Sequence, residues 1–202
     1  MLDRLKLILD DNIIRKFNKT KVLIIGIGGV GGYALESLIR SGFINITIVD
    51  KDIVDKSNLN RQIISLNSNI GQTKVEVAKK RCLDINPECN LKVINDFILD
   101  DNINSLNLSN YDYIIDACDT ITTKILLIDY CTKNNIKLIS SMGTGNRFDS
   151  TKLSITKLSK TYNDPLAKNI RRILKEKNIK ANPNVVWSSI TKYRRREKIN
   201  QR

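Results

Sequence analysis

Histidine is absent from all 202 residues, and its absence excludes imidazole as a general base, as a nucleophile's partner and as a metal ligand. Any catalysis falls to carboxylates, Lys, Arg, Asn or Cys. Cysteine is sparse: Cys82, Cys89, Cys118 and Cys131 form no C-x-x-C pair. With no signal peptide to send them to an oxidising compartment, they are expected to be buried or incidental thiols of a cytosolic protein. No apolar run approaches the roughly 20 residues that a bilayer crossing needs. Internal repeats and low-complexity linkers are also missing. What is present, 41% apolar residues, suffices for the core of one α/β domain.

The formal net charge of +13 is unevenly spread. From Thr151 onward there are 15 Lys plus Arg against three acids, Asp164, Glu176 and Glu197, whereas residues 1–150 carry 19 against 18. A positive block of this kind attracts polyanions, nucleic acid first. The plainer reading, drift in a Lys-, Asn- and Ile-rich chain, should have made the first 150 residues basic as well.

Residues 2–17 place Leu5, Ile8, Leu9 and Ile13 at helical spacing, predicting an amphipathic N-terminal helix or pair of turns. Alternating elements follow. "KVLIIG", "NITIVD", "NLKVIND", "YDYIIDA" and "IKLISS" read as buried strands, and "VGGYALESLIRSG", "QTKVEVAKKRCLDIN" and "TTKILLIDYCTKNN" as the helices between them, with Gly42 and Pro87 as stops. Such alternation predicts a Rossmann-like, doubly wound, mostly parallel sheet. Beyond Gly145 the pattern changes to an edge strand "KLSITKLS", a basic helix with Pro165 in its first turn, and a short strand "NVVWSS". One domain over residues 1–190 is expected, its basic part from about 151. The tail 191–202, without an apolar face, is expected to be disordered until it meets a partner.

The chemistry begins at Gly26, Gly28 and Gly31, a G-x-G-x-x-G turn between a strand and a helix, with Gly29 and Gly32 beside it. Glycine permits the tight turn and the approach of a phosphate to helix N-terminal amides. Asp50 ends the second strand 19 residues after Gly31, placed for ribose hydroxyls, with Asp52 two residues on as a further cofactor-binding candidate. The turn fits a dinucleotide kept for redox chemistry as well as an ATP that is consumed. Downstream, Asn58, Arg61 and Lys74 supply an amide and two cations, as cleavage of a triphosphate requires; singly, each cation reads equally well as a solvated surface group. Asp116 at a strand end and Asp119 in the following loop are candidate Mg²⁺ carboxylates, Asp119 also reading as a helix N-cap.

The set "GIGGVGG", "DKDIVDKSNLNRQ", "GQTK" and "DACDT", in this order and spacing, resembles the ubiquitin-activating-type adenylyltransferase superfamily, whose members transfer AMP to a carboxylate. The resemblance implies that Gly26, Gly28, Gly31 and Asp50 bind ATP, that Asn58, Arg61 and Lys74 contact its phosphates, and that Asp119 serves Mg²⁺ and ATP. It further implies a homodimer in which Arg4 reaches the partner's phosphates. Three more segments, "INPECNLKVINDF", "SMGTGNRFD" and "KLSITKLSKTYNDPLAKNIRRILKEKNI", resemble the tRNA threonylcarbamoyladenosine dehydratases, over about residues 4–190. That likeness implies adenylation of a threonyl carboxylate next to the anticodon, loss of AMP on ring closure, tRNA as partner through the basic region 152–202, a bacterial cytoplasmic setting and, in some bacteria, a cysteine desulfurase system as partner. Family members usually continue past "VVWSS" through another strand and a helix, where this sequence has "KYRRREKINQR".

No cysteine follows Cys131, so the region beyond Gly145 offers no thiol for a thioester or persulfide step, whereas a substrate that attacks its own adenylate needs only proximity. The alternatives are a sulfur-carrier adenylyltransferase of thiamine or molybdopterin biosynthesis and, from a different class, an inactive tRNA-binding remnant. An NAD oxidoreductase is the least favoured.

Overall fold

The aliphatic runs become the centre of one sheet. The computed structural model describes residues 2–190, and its strands are β1 (Lys21–Ile25), β2 (Asn45–Val49), β3 (Asn90–Ile94), β4 (Tyr113–Asp116), β5 (Leu138–Ser141), β6 (Leu153–Lys157) and β7 (Asn184–Ser188). Their order in space is β3-β2-β1-β4-β5-β7-β6. All pairings are parallel except β6 with β7. The helices are α1 (Asp11–Lys19), α2 (Gly31–Arg40), α3 (Lys74–Ile85), α4 (Ile121–Lys133) and α5 (Pro165–Glu176). The Rossmann-like reading therefore holds, and the two strands expected beyond Gly145 join the sheet as β6 and β7, with α5 between them in the chain.

Strand β1 shows why its sequence is apolar throughout. Val22 and Ile24 pack on one face with Leu35 and Ile39 of α2 and Val75 and Ala78 of α3, while Leu23 and Ile25 pack on the other with Leu127 of α4. Each such side chain contributes roughly 1.5–3 kcal/mol on burial. A third cluster joins Ile125 and Ile128 of α4 to Ile170 and Leu174 of α5 and Trp187 of β7. Gly42, at φ +95°, ends α2 as expected.

The N-terminal segment departs from its predicted stripe. A 3₁₀ turn over Leu5–Leu7 precedes α1, and the carboxylate of Asp10 accepts from the amides of Asn12 and Ile13 and restarts the helix there. The restart shifts the phase, so Ile14 is buried, while Ile8 is 82% exposed and Ile13 lies at the surface. The expected tail, 191–202, lies outside the described residues. Among those described, no helix is long and apolar enough to cross a membrane.

Candidate active site

The chain runs outward from β1 to β3 and then returns to β4 on the other side of β1, leaving a crevice between the carboxyl ends of β1 and β4. Ligands bind at such a reversal in doubly wound sheets. A cleft of about 660 Å³ opens there, and Gly28, Asp50, Asn58, Arg61, Lys74 and Asp119 all line it.

The glycine turn divides into two parts with different duties. Gly26 sits at φ +87°, and a Cβ there would meet the backbone of Ala117 at 2.9 Å. A Cβ on Gly31 would lie 1.8 Å from the carbonyl oxygen of Gly26, so these two glycines exist for packing. Gly28 and Gly29 have nothing closer than 3.6 Å, and their backbone amides make no hydrogen bond among the described residues. They leave space and donors for an anion. The helix ends repeat this distinction. Asp10 caps α1 and Asp164 caps α5, whereas α2, α3 and α4 have no side-chain cap. Each of these three begins at residues that border the cleft, and open helix N-termini favour negative charge.

Side chains complete the site. Both oxygens of Asp50 accept backbone hydrogen bonds, from Ile27 at 2.6 Å and from Asp52 at 2.8 Å, which ties the strand end to the glycine turn. Lys74, 5% exposed, donates to the half-exposed carboxylate of Asp52 at 2.7 Å. The buried Asn58 accepts from the amide of Asp55, while its own NH₂ has only a 3.5 Å contact to Ser57 Oγ. Arg61 donates to the Ser57 carbonyl at 2.8 Å and to Asn60 at 3.0 Å, and has no carboxylate partner among the described residues. Asp119 is exposed at the cleft and has no hydrogen-bond or ion-pair partner among the described residues, and the N-cap position of α4 is Thr120. The N-cap reading of Asp119 is therefore not observed.

Asp116 corrects one expectation. It is fully buried, and both its oxygens accept from Lys124 Nζ at 3.0 Å, with Ser140 Oγ donating at 2.5 Å. A carboxylate so committed does not face the cleft, so Asp119 alone remains as a candidate Mg²⁺ carboxylate. Arg4 lies on the surface and outside the cleft.

Several residues were missed by sequence reasoning. Lys124 interrupts the apolar face of α4, and a lysine in that register, opposite a strand-ending aspartate, was the available signal. Gln62 is buried and lines the cleft. At the rim, the Lys51 ammonium stands 3.3 Å from the centre of the Phe97 ring. On the β5 side Arg147 donates to the carbonyls of Gly143, Asn163, Ser188 and Ile190, and Asp164 accepts from the Gly143 amide. Together they fix the loop after β5, for which "NR" in a glycine-rich loop gave no unambiguous signal. Cys118 is the one thiol at the cleft among the described residues. Burial, reinforced by the charge of Asp116, pushes it well above the ordinary thiol range. Burial likewise raises Cys89 to about 11 and Cys82 and Cys131 to about 12.

A family model, the ThiF family, matches residues 2–191. The chain belongs to the ThiF family. Within that family it is 43% identical over 175 residues to the tRNA threonylcarbamoyladenosine dehydratase of Bacillus subtilis, covering 87% of this chain and 69% of the relative. It is 41% identical over 165 residues to the Escherichia coli enzyme of the same name, covering 82% of this chain and 62% of that one. The chain thus spans about two thirds of these relatives' length. The crystal structure of the Escherichia coli enzyme in complex with ATP superimposes with a TM-score of 0.88 at 37% identity, over 92% of this chain and 79% of that one. The same enzyme has also been solved with AMP.

Proposed function

We propose that this ThiF domain is an ATP-dependent tRNA threonylcarbamoyladenosine dehydratase of the cytoplasm, and that its cleft is where ATP is split. The observation that carries this reading is the convergence of Asn58, Arg61 and Lys74 with the two unoccluded glycines on one cleft. The identities to dehydratases and the ATP complex of the Escherichia coli enzyme support it.

The phosphates lie against Gly28 and Gly29 and the open end of α2, with the ribose toward Asp50. Lys74 is held ready by Asp52, whose half-exposed carboxylate lets the ammonium exchange that partner for a phosphate oxygen. Arg61 and the NH₂ of Asn58, held only by its 3.5 Å contact to Ser57 Oγ, face the charge that develops as the α-phosphorus becomes five-coordinate; donors fixed in advance lower that barrier most. Asp119 fits a single Mg²⁺ ligand, because it is an exposed carboxylate at the cleft with no partner among the described residues and Mg²⁺ is commonly held by one or two carboxylates and phosphate oxygens. When bound, the ion neutralises phosphate charge. Arg4 acts from the second protomer of a homodimer.

The threonyl carboxylate attacks the α-phosphorus, releasing pyrophosphate and forming the acyl adenylate. The substrate's own carbamoyl group then attacks the acyl carbon and gives up its N–H proton to solvent as AMP leaves with the carboxylate oxygen, so the nucleoside has lost the elements of one water. No protein thiol is required. Burial pushes the Cys118 thiol well above the ordinary thiol range, which disfavours the thiolate that a persulfide step at this cleft needs and weighs against the sulfur-carrier alternative.

The tRNA docks through the basic region 152–202, of which 152–190 is described. There Arg171 turns inward to the Leu158 carbonyl and Thr161 and Arg172 pairs with Glu176. Lys168 and Lys175 stay exposed for phosphates. A cysteine desulfurase system is a further partner in this reading. The test is incubation with ATP, Mg²⁺ and tRNA carrying threonylcarbamoyladenosine: mass spectrometry should find the nucleoside lighter by one water, and an unchanged nucleoside with folded protein would overturn the reading.

A further inference from the structure

The opposite end of the sheet carries a second depression, of about 550 Å³, lined by Asn12, Arg15, Lys16, Lys19, Thr20, Asp112, Tyr113 and Lys137. Its side chains come from separate elements. Arg15, Lys16 and Lys19 belong to α1, Tyr113 opens β4, and Lys137 directly precedes β5. Residues 1–150 are almost neutral as a whole, yet four cations and one acid gather here. None of the four has an ion-pair partner among the described residues, and the acid, Asp112, already accepts from the Lys21 amide at 2.8 Å. Lys16 and Lys19 complement the C-terminal dipole of α1, but that accounts for neither Arg15 nor Lys137. Tyr113 is 47% exposed, with Lys137 Nζ 4.7 Å from its ring centre. Unpaired cations around an exposed aromatic ring are the combination that holds nucleic-acid backbone and stacks a base.

We propose that this depression is a second RNA-binding surface, which grips the phosphodiester backbone of the tRNA away from the reacting nucleotide. It rests on the reading that the substrate is a tRNA. Strands of four or five residues put the two ends of the sheet only about 16 Å apart, well within the span of a folded tRNA. The surface also continues sideways toward the basic last quarter. Lys157 at the end of β6 pairs with Asn184 at the start of β7, and Asn184 pairs with Ile139 of β5, two residues after Lys137.

The test compares the protein with its Lys16→Ala/Lys19→Ala/Lys137→Ala variant, using fluorescence anisotropy with labelled, modified tRNA across a salt series and nucleoside mass spectrometry on the same samples. All three side chains are exposed, and circular dichroism checks the fold of the variant. The expected result is roughly 10-fold weaker tRNA binding, a salt-dependence slope smaller by about 2–3, and ATP affinity unchanged. A Tyr113→Ser variant should weaken binding without altering the slope. Equal affinity and slope in the triple variant, or no tRNA binding by the unaltered protein, overturns the surface. Loss of binding in the variant, with the nucleoside unchanged even in the unaltered protein, keeps the surface and overturns the dehydratase reading instead.

Discussion

Lys74 and Lys124 are both nearly inaccessible lysines, each joined to an aspartate at 3.0 Å or less, but their surroundings differ. Asp52, the partner of Lys74, is half exposed, and the pair sits at the cleft. Asp116, the partner of Lys124, is wholly buried, and Lys124 also donates to the Ser141 carbonyl at 2.8 Å and lies near Ser140. A lysine with one replaceable partner can turn to a ligand. A lysine with a saturated set of acceptors cannot, and it serves instead to join β4, α4 and the end of β5. The lesson is that burial of a charged pair does not mark function; the accessibility of the counter-charge does.

The comparison can be broken most sharply at Lys124. Removing one partner of a buried ion pair leaves a bare charge, so Lys124→Ala should cost about 3–5 kcal/mol in urea unfolding, and the Asp116→Leu/Lys124→Met double variant should recover most of it. Lys74→Ala should behave oppositely. Turnover should fall about 100- to 1000-fold with the urea midpoint close to that of the unaltered protein, and Arg61→Ala should match it. A Lys74→Ala protein that unfolds as readily as Lys124→Ala would remove the distinction. Glycines sharpen the same contrast on a smaller scale. Gly31→Ala should destabilise by about 1–3 kcal/mol through overpacking, since its Cβ would strike the Gly26 carbonyl. Gly29→Ala should leave stability intact and weaken ATP binding, read by calorimetry.

Much of this was legible in the sequence because it rests on local pattern. The continuous apolar runs, the glycine turn and the stop at Gly42 each act within a few residues, and they appear where expected. Asn58, Arg61 and Lys74 line the cleft as expected, because the loop after β2 and the start of α3 both lie at the carboxyl end of the sheet. What was not legible depends on the third dimension. Asp116 was read as a cleft carboxylate because strand ends usually face the crevice, and nothing nearby announces that Lys124, eight residues onward in the first turn of α4, turns back to it. The apolar stripe at the N-terminus failed because one cap, Asp10, resets the helical phase. Arg147 was passed over because its acceptors lie as far as 43 residues away.

The central claim is that ATP at this cleft is split between its α- and β-phosphates to activate a tRNA-borne carboxylate. A single-turnover reaction with ATP labelled at the α-phosphate, Mg²⁺ and threonylcarbamoyladenosine-containing tRNA tests it directly. The account predicts AMP appearing one-for-one with the dehydrated nucleoside, and neither with Lys74→Ala at the same times. Label emerging as ADP, or dehydration that proceeds without ATP, would contradict it.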